Sequence, residues 1–133
     1  MGKLQDFLME AQIGTTQTEV QIAPFPYPFI VKSITEAENK AIRKTCQKVE
    51  FDKKTRQKRI DTDTDLYNAR LVVACCVEPN FKDAALQEKY GVRGAEDLIN
   101  LILNPGQYTD LLLAVQEING FTDDVNDLRE EAK

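Results

Sequence analysis

From Leu66 to Val77 apolar residues first recur at helical spacing and then fill nearly every position. Leu66, Ala69, Val73, Cys76 and Val77 form one stripe at about 100° per residue, while Leu71, Val72 and Cys75 fall outside it. A helix whose second half is apolar on nearly all sides belongs in the middle of a fold, with neighbours all round. Thr62 or Thr64 can cap its start, with Asp65 in the favourable first turn, and Pro79 stops it. The rest of the chain is expected to pack around this central helix, 66–77.

Before it, Leu4, Phe7 and Leu8 stand at i, i+3 and i+4 in LQDFLMEA, and the polar stretch from Ile13 to Thr18 reads as a linker. A terminal turn docked on its own core is the simpler reading of this apolar trio. A mobile arm that docks on a partner is the sharper one. Isolated helices this short are marginal in water, which favours the first. Glu19–Ala23 and Phe29–Ile34 have the β-branched content and alternation of strands. Pro24, Pro26 and Pro28 between them fit a rigid hairpin crossing better than a docking site for a proline-reading partner. Thr35-Glu36-Ala37-Glu38 is a capping box that opens a helix running to about Val49, with Ala37, Ala41, Ile42, Cys46 and Val49 inward.

After Pro79 the pattern predicts a short helix over Asp83–Tyr90, stopped by Gly91. Another follows from Gly94 or Ala95 through Leu103. Pro105 then stands at the first position of a last long helix, whose inner face is Tyr108, Leu111, Leu112, Val115 and Ile118. These two helices should lie against each other as an αα-hairpin. Leu113 points off the stripe, and the stripe from Leu98 through Leu101 to Leu103 is broader than one flank needs. Such surplus is a partner site or extra self-burial, and the pattern leaves both open. The candidate partner-binding residues are therefore Leu4, Phe7, Leu8, Leu101, Leu103 and Leu113. The expected architecture is α+β and mainly helical. An arm and linker occupy 1–17, a β-hairpin 18–34, a body of about five helices 35–121, and an acidic tail 122–133, with 1–121 as one domain.

Charge refines this. With 17 Lys+Arg against 22 Asp+Glu, the net charge is -5, a poor balance for general nucleic-acid binding. The basic stretch Lys53–Arg59 is the exception. Asp61, Asp63 and Asp65 follow at once to compete for its cations, and no aromatic residue interleaves to stack a base. It reads first as a solvated loop and second as a phosphate-binding patch. The same aspartates open like a calcium loop, but Leu66 stands where the turn needs glycine and Val72 where it needs a bidentate glutamate. Cys46, Cys75 and Cys76 are odd in number and lack C-x-x-C spacing, as expected of reduced thiols in the cytoplasm. Cys75 and Cys76 lie mid-helix in apolar surroundings that suppress thiolate chemistry. The chain has no histidine, which removes the commonest general base and metal ligand. No apolar run reaches about 20 residues, and MGKLQDFLMEAQ has no signal-peptide core. Catalysis, cofactor and metal are not expected. One further possibility concerns the Leu71 and Cys75 side of the central helix, which a partner or a second copy would cover if Cys75 were exposed.

Taken together, LQDFLME, ITEAENKAIRKTC and TDTDLYNARLVVACCVEPNFKDAALQEKYGVRGAEDLINLILNPGQYTDLLLAVQEING resemble the XkdN-like phage tail assembly chaperones of tailed phages and PBSX-type prophage elements. The resemblance spans about Leu4 to Phe121. It is most specific at Glu78-Pro79, at Tyr90-Gly91 to Glu96, and from Leu103 to Gly120 with its Pro105-Gly106 turn. Pro24–Pro28 and the basic stretch lie outside it. It implies a non-enzymatic factor of the host cytoplasm that coats the tape measure protein, helps recruit tail tube protein and is absent from the finished virion. A small nucleic-acid-binding regulator acting through Lys53–Arg59 is the alternative, and an enzyme with a carboxylate-only site ranks below both.

Overall fold

Asp63, and neither neighbouring threonine, starts the central helix. Its side chain accepts the Leu66 N–H at 3.2 Å, and α3 then runs Thr64–Cys75. In this computed structural model, which describes residues 2–11 and 14–121, α3 has Leu71, Val72, Val73 and Cys75 buried on successive sides. A helix needs that pattern when it has neighbours all round. Those neighbours are α2 (Glu36–Thr45), α5 (Ala95–Ile102) and α6 (Pro105–Ile118). α5 and α6 both contact α3.

Ahead of this body stand α1 (Lys3–Glu10) and the antiparallel pair β1 (Gln17–Val20) and β2 (Phe29–Lys32), with Gln17 opposite Lys32 and Val20 opposite Phe29. On β2, Phe29 and Val31 are buried, and α6 packs against this strand. The α+β class and the N-terminal hairpin are therefore as expected, and five helices follow the hairpin among the described residues. The acidic tail, 122–133, lies outside the described residues.

Three local expectations are corrected. The sheet has a third strand, β5 (Cys76–Glu78), paired antiparallel to β2 through Val31 and Cys76. The central helix thus ends at Cys75, and Val77, placed in its inner stripe by spacing, is exposed in β5. α2 also stops at Thr45, whose hydroxyl donates to the Ile42 carbonyl at 2.6 Å, and Cys46 caps it. Finally, the chain beyond is a second hairpin rather than a helix end and a loop. It comprises β3 (Gln47–Asp52) and β4 (Gln57–Thr62), with Val49 opposite Ile60 and Phe51 opposite Lys58. Val49 and Phe51 alternate with polar residues as a strand requires, but the density of cations obscures that alternation when the segment is read by charge.

Side-chain ties hold the layers together. Arg70 of α3 donates to the Thr45 carbonyl at 2.8 Å and pairs with Glu96 at 3.2 Å, joining the end of α2 to the start of α5. Asn104 and Gln107 form a capping box at the start of α6, with Pro105 inside it, and Gln107 also donates to the Ala23 carbonyl at 2.9 Å. Asn119 closes α6, and Gly120 follows at φ 84, a left-handed position that suits glycine. α4 (Ala84–Lys89), capped by Asp83, is anchored by Phe81, which is wholly buried and whose carbonyl accepts from Gln87 at 2.8 Å.

Candidate partner-binding surfaces

The i, i+3, i+4 pattern of Leu4, Phe7 and Leu8 does form a helix, but no residue of α1 is buried. The three side chains and Met9 are all exposed. The expectation that they dock on the chain's own core is overturned. An amphipathic helix with an uncovered apolar side stands in its place.

On the helical body, Leu113 is 51% exposed and Leu101 56% exposed. The cause for Leu113 is angular. It lies two residues past buried Leu111, about 200° round α6, and so points away from α3. Leu103 is different. At 7% exposed it belongs to the core, which removes it from the candidate surface. It caps α5 with an extended backbone, φ -100 and ψ 138, so its side chain leaves the helical period and turns inward. Periodicity cannot place a capping residue. Ala95–Ile118 contains Glu96, Asp97, Asp110 and Glu117 and no lysine or arginine, so the Leu101 and Leu113 surfaces have only acids on their own helices.

The Leu71 and Cys75 side of α3 is covered by the chain itself. Cys75 is 0% exposed and its thiol accepts from Asn119 Nδ2 at 3.4 Å. A partner or second copy on that side is therefore excluded in this conformation. All three cysteines are free and buried. Burial pushes the Cys75 thiol up and takes Cys76 to about 12, so both are held as neutral thiols.

Each acid of the aspartate ladder has a structural task. Asp61 pairs with Arg59 at 3.0 Å, Asp63 caps α3 and pairs with Lys48 at 3.5 Å, and Asp65 lies in the first turn of α3. The hydrogen bond from the Leu66 N–H holds the Asp63 carboxyl below its usual range, assisted by Lys48.

The basic stretch occupies the outer end of the second hairpin. Lys48 and Arg59 are paired, while Lys53, Lys54, Arg56 and Lys58 have no ion pair among the described residues. Val49, Phe51 and Ile60 stand exposed beside them, a feature the sequence reading missed. The signal available was the alternation of Val49 and Phe51 with Glu50 and Asp52.

Two further concavities exist near the helical body. One of about 290 Å³ is lined by Ile34, Asn39, Arg43, Asn119 and Phe121. Another of about 240 Å³ lies at the α5–α6 turn, between Ile99, Asn104 and Tyr108. Neither brings together the nucleophile, base and oxyanion donors of an acyl-transfer site.

The described features match known proteins over most of the chain. The family model for the phage XkdN-like tail assembly chaperone protein matches residues 4–133. Phage-like element PBSX protein XkdN of Bacillus subtilis (strain 168) is 32% identical over 108 residues, covering 80% of this chain and 72% of that protein. Uncharacterized protein YqbN of the same organism is 36% identical over 110 residues, covering 80% of this chain and 71% of that protein. The crystal structure of the protein YqbN superposes with a TM-score of 0.68 at 26% identity, over 87% of this chain and 95% of that one.

Proposed function

The chain belongs to the XkdN-like family of phage tail assembly chaperones, and from that premise we propose that it is a non-catalytic chaperone of the host cytoplasm that binds the tape measure protein and helps recruit tail tube subunits. The observation that carries this reading is the set of uncovered apolar side chains on α1, α5 and α6, where Leu4, Phe7, Leu8, Leu101 and Leu113 are all exposed. A monomer gains nothing from exposing such side chains on well-formed helices, whereas a partner helix laid against them removes their surface from water. The acids along α5 and α6 add a preference. They favour amphipathic partner segments flanked by lysine and arginine, and they keep the complex soluble through net negative charge.

Co-expression with the tape measure protein of the same element tests the proposal. The expected result is a soluble complex that co-elutes on size exclusion. A tape measure protein that stays insoluble and unbound beside abundant folded chaperone refutes it. Leu113→Asp tests the surface. The residue is exposed, so the variant should fold as the parent does and lose roughly tenfold or more in affinity. Unchanged binding by the folded variant removes Leu113 from the interface.

A further inference from the structure

The second hairpin has two unlike faces. Residues two apart on a strand, and residues directly opposite across a pair, share a face. One face therefore carries Lys48, Glu50, Asp52, Gln57, Arg59 and Asp61, a mixed set in which Arg59 pairs with Asp61 at 3.0 Å. The other carries Val49, Phe51 and Ile60 with Lys58 at the outer end. These three apolar side chains are 64%, 57% and 61% exposed, and no residue of either strand is buried. An isolated two-stranded hairpin is marginal in water, and covering its apolar face stabilises it. The turn beyond Asp52 supplies Lys53, Lys54 and Arg56. From Gln47 to Thr62 the chain thus has six cations against three acids, in a protein that is otherwise strongly acidic.

We propose that this face of the hairpin is a docking site for an acidic, amphipathic segment of a partner protein. Its apolar side covers Val49, Phe51 and Ile60, and its carboxylates meet Lys53, Lys54, Arg56 and Lys58. The charge complementarity sets the chemistry, because those four cations have no ion pair within the described chain while Lys48 and Arg59 do. The apolar centre separates this reading from phosphate binding. A nucleic acid would engage the cations and stack at most one base on Phe51, leaving Val49 and Ile60 in water. The site is distinct from the helical surface of α5 and α6, and its test does not depend on the tape measure protein.

The test uses the full chain and a labelled peptide with leucine at helical i, i+3, i+4 and i+7 spacing and glutamate elsewhere. Its controls are the same peptide with lysine for glutamate, a single-stranded oligonucleotide, and phosphatidylserine vesicles. Anisotropy should show saturable binding of the acidic peptide below about 1 mM, and amide shift changes should centre on β3 and β4. Phe51→Ser should weaken it roughly tenfold, and Lys53→Glu with Lys58→Glu should weaken it several-fold in low salt and less in high salt. Because the hairpin buries nothing, both variants should keep the parent melting temperature. Absence of binding, equal binding of the lysine peptide, or preferential binding of the oligonucleotide or the vesicles overturns the proposal. Concentration-dependent self-association in sedimentation velocity that Phe51→Ser abolishes assigns the face to a second copy and overturns it too.

Discussion

Asn119 joins three elements, and its removal gives a test of the fold whose size follows from the geometry. Its Oδ1 accepts the Ile34 N–H at 2.9 Å, and its Nδ2 donates to the Val115 carbonyl at 2.8 Å and to the Cys75 thiol at 3.4 Å. Asn119→Ala deletes all three. The Val115 carbonyl keeps the backbone bond from Asn119 N–H at 3.2 Å, and a thiol is a weak acceptor, so these two losses are small. The Ile34 N–H is the larger one, because a partly buried donor left unpaired costs about 1–3 kcal/mol. The adjoining cavity of about 290 Å³ touches both Ile34 and Asn119, and it gives water a route to that N–H. The expected cost is therefore about 1–2 kcal/mol, in the lower part of the range. For a chain of this length that lowers the melting temperature by about 3–10 °C. Urea unfolding followed by circular dichroism should show the midpoint fall with the slope unchanged. Asn119→Asp keeps the acceptor for Ile34 and loses both Nδ2 donors. It also places a carboxylate at the C-terminal end of α6, where the dipole opposes it. If Asn119→Ala unfolds within about 0.5 kcal/mol of the parent, the tie between α6 and the β2–α2 connection does not stabilise the fold.

Two other outcomes follow from the same structure. Thr35→Ala removes the capping box in which Thr35 Oγ1 accepts the Glu38 N–H at 3.2 Å, and should cost about 1 kcal/mol in urea unfolding. A loss below a few tenths would mean that packing on α3 alone starts α2. The buried thiols should resist a disulfide reagent at pH 8 in the folded chain, and all three should react in urea. The Cys76 contribution also has a sign. Its pKa is raised from 9.0 to about 12, so the stabilising effect is full below about pH 9 and is lost as pH rises towards 12, where the unfolded thiol ionises first. Fast labelling of native Cys76 at pH 8 would contradict the burial.

What the sequence revealed of this fold depended on how local the cause was. α6 was legible because Pro105 acts within a turn of its own position and the inner stripe needed only the helical period, whereas the Asn104–Gln107 capping box went unread. α3 was legible for the opposite reason, since its lack of a single apolar side marked it as central. β5 was not. Cys76-Val77-Glu78 fits a helix end or a strand equally well, and only pairing with β2 decides between them. The second hairpin failed in the same way. Val49 and Ile60 are eleven positions apart, and their pairing across the strands is invisible to a helical window that assigns Val49 to α2. Among the candidate residues, Leu113 sat off the inner stripe of its helix and is exposed, while Leu101 sat within a broad stripe that left burial open, and it is exposed too. Leu103 sat at a helix end, where angle predicts nothing, and it is buried.

The two apolar surfaces also differ in a way that constrains how a partner can use them. Ala95–Ile118 has acids and no cations, while Gln47–Thr62 has twice as many cations as acids. A segment flanked by lysines that suits Leu101 and Leu113 is repelled by Lys53, Lys54 and Arg56, and an acidic segment that suits Phe51 is repelled by Asp97, Asp110 and Glu117. Each such exposed mismatch costs roughly 0.2–1 kcal/mol, so several together offset the gain from covering one leucine. Apolar attraction alone therefore cannot make the sites interchangeable. If both surfaces bind as proposed, charge sorts their partners as well as shape, and one long partner that engages both would carry its charges in separate blocks.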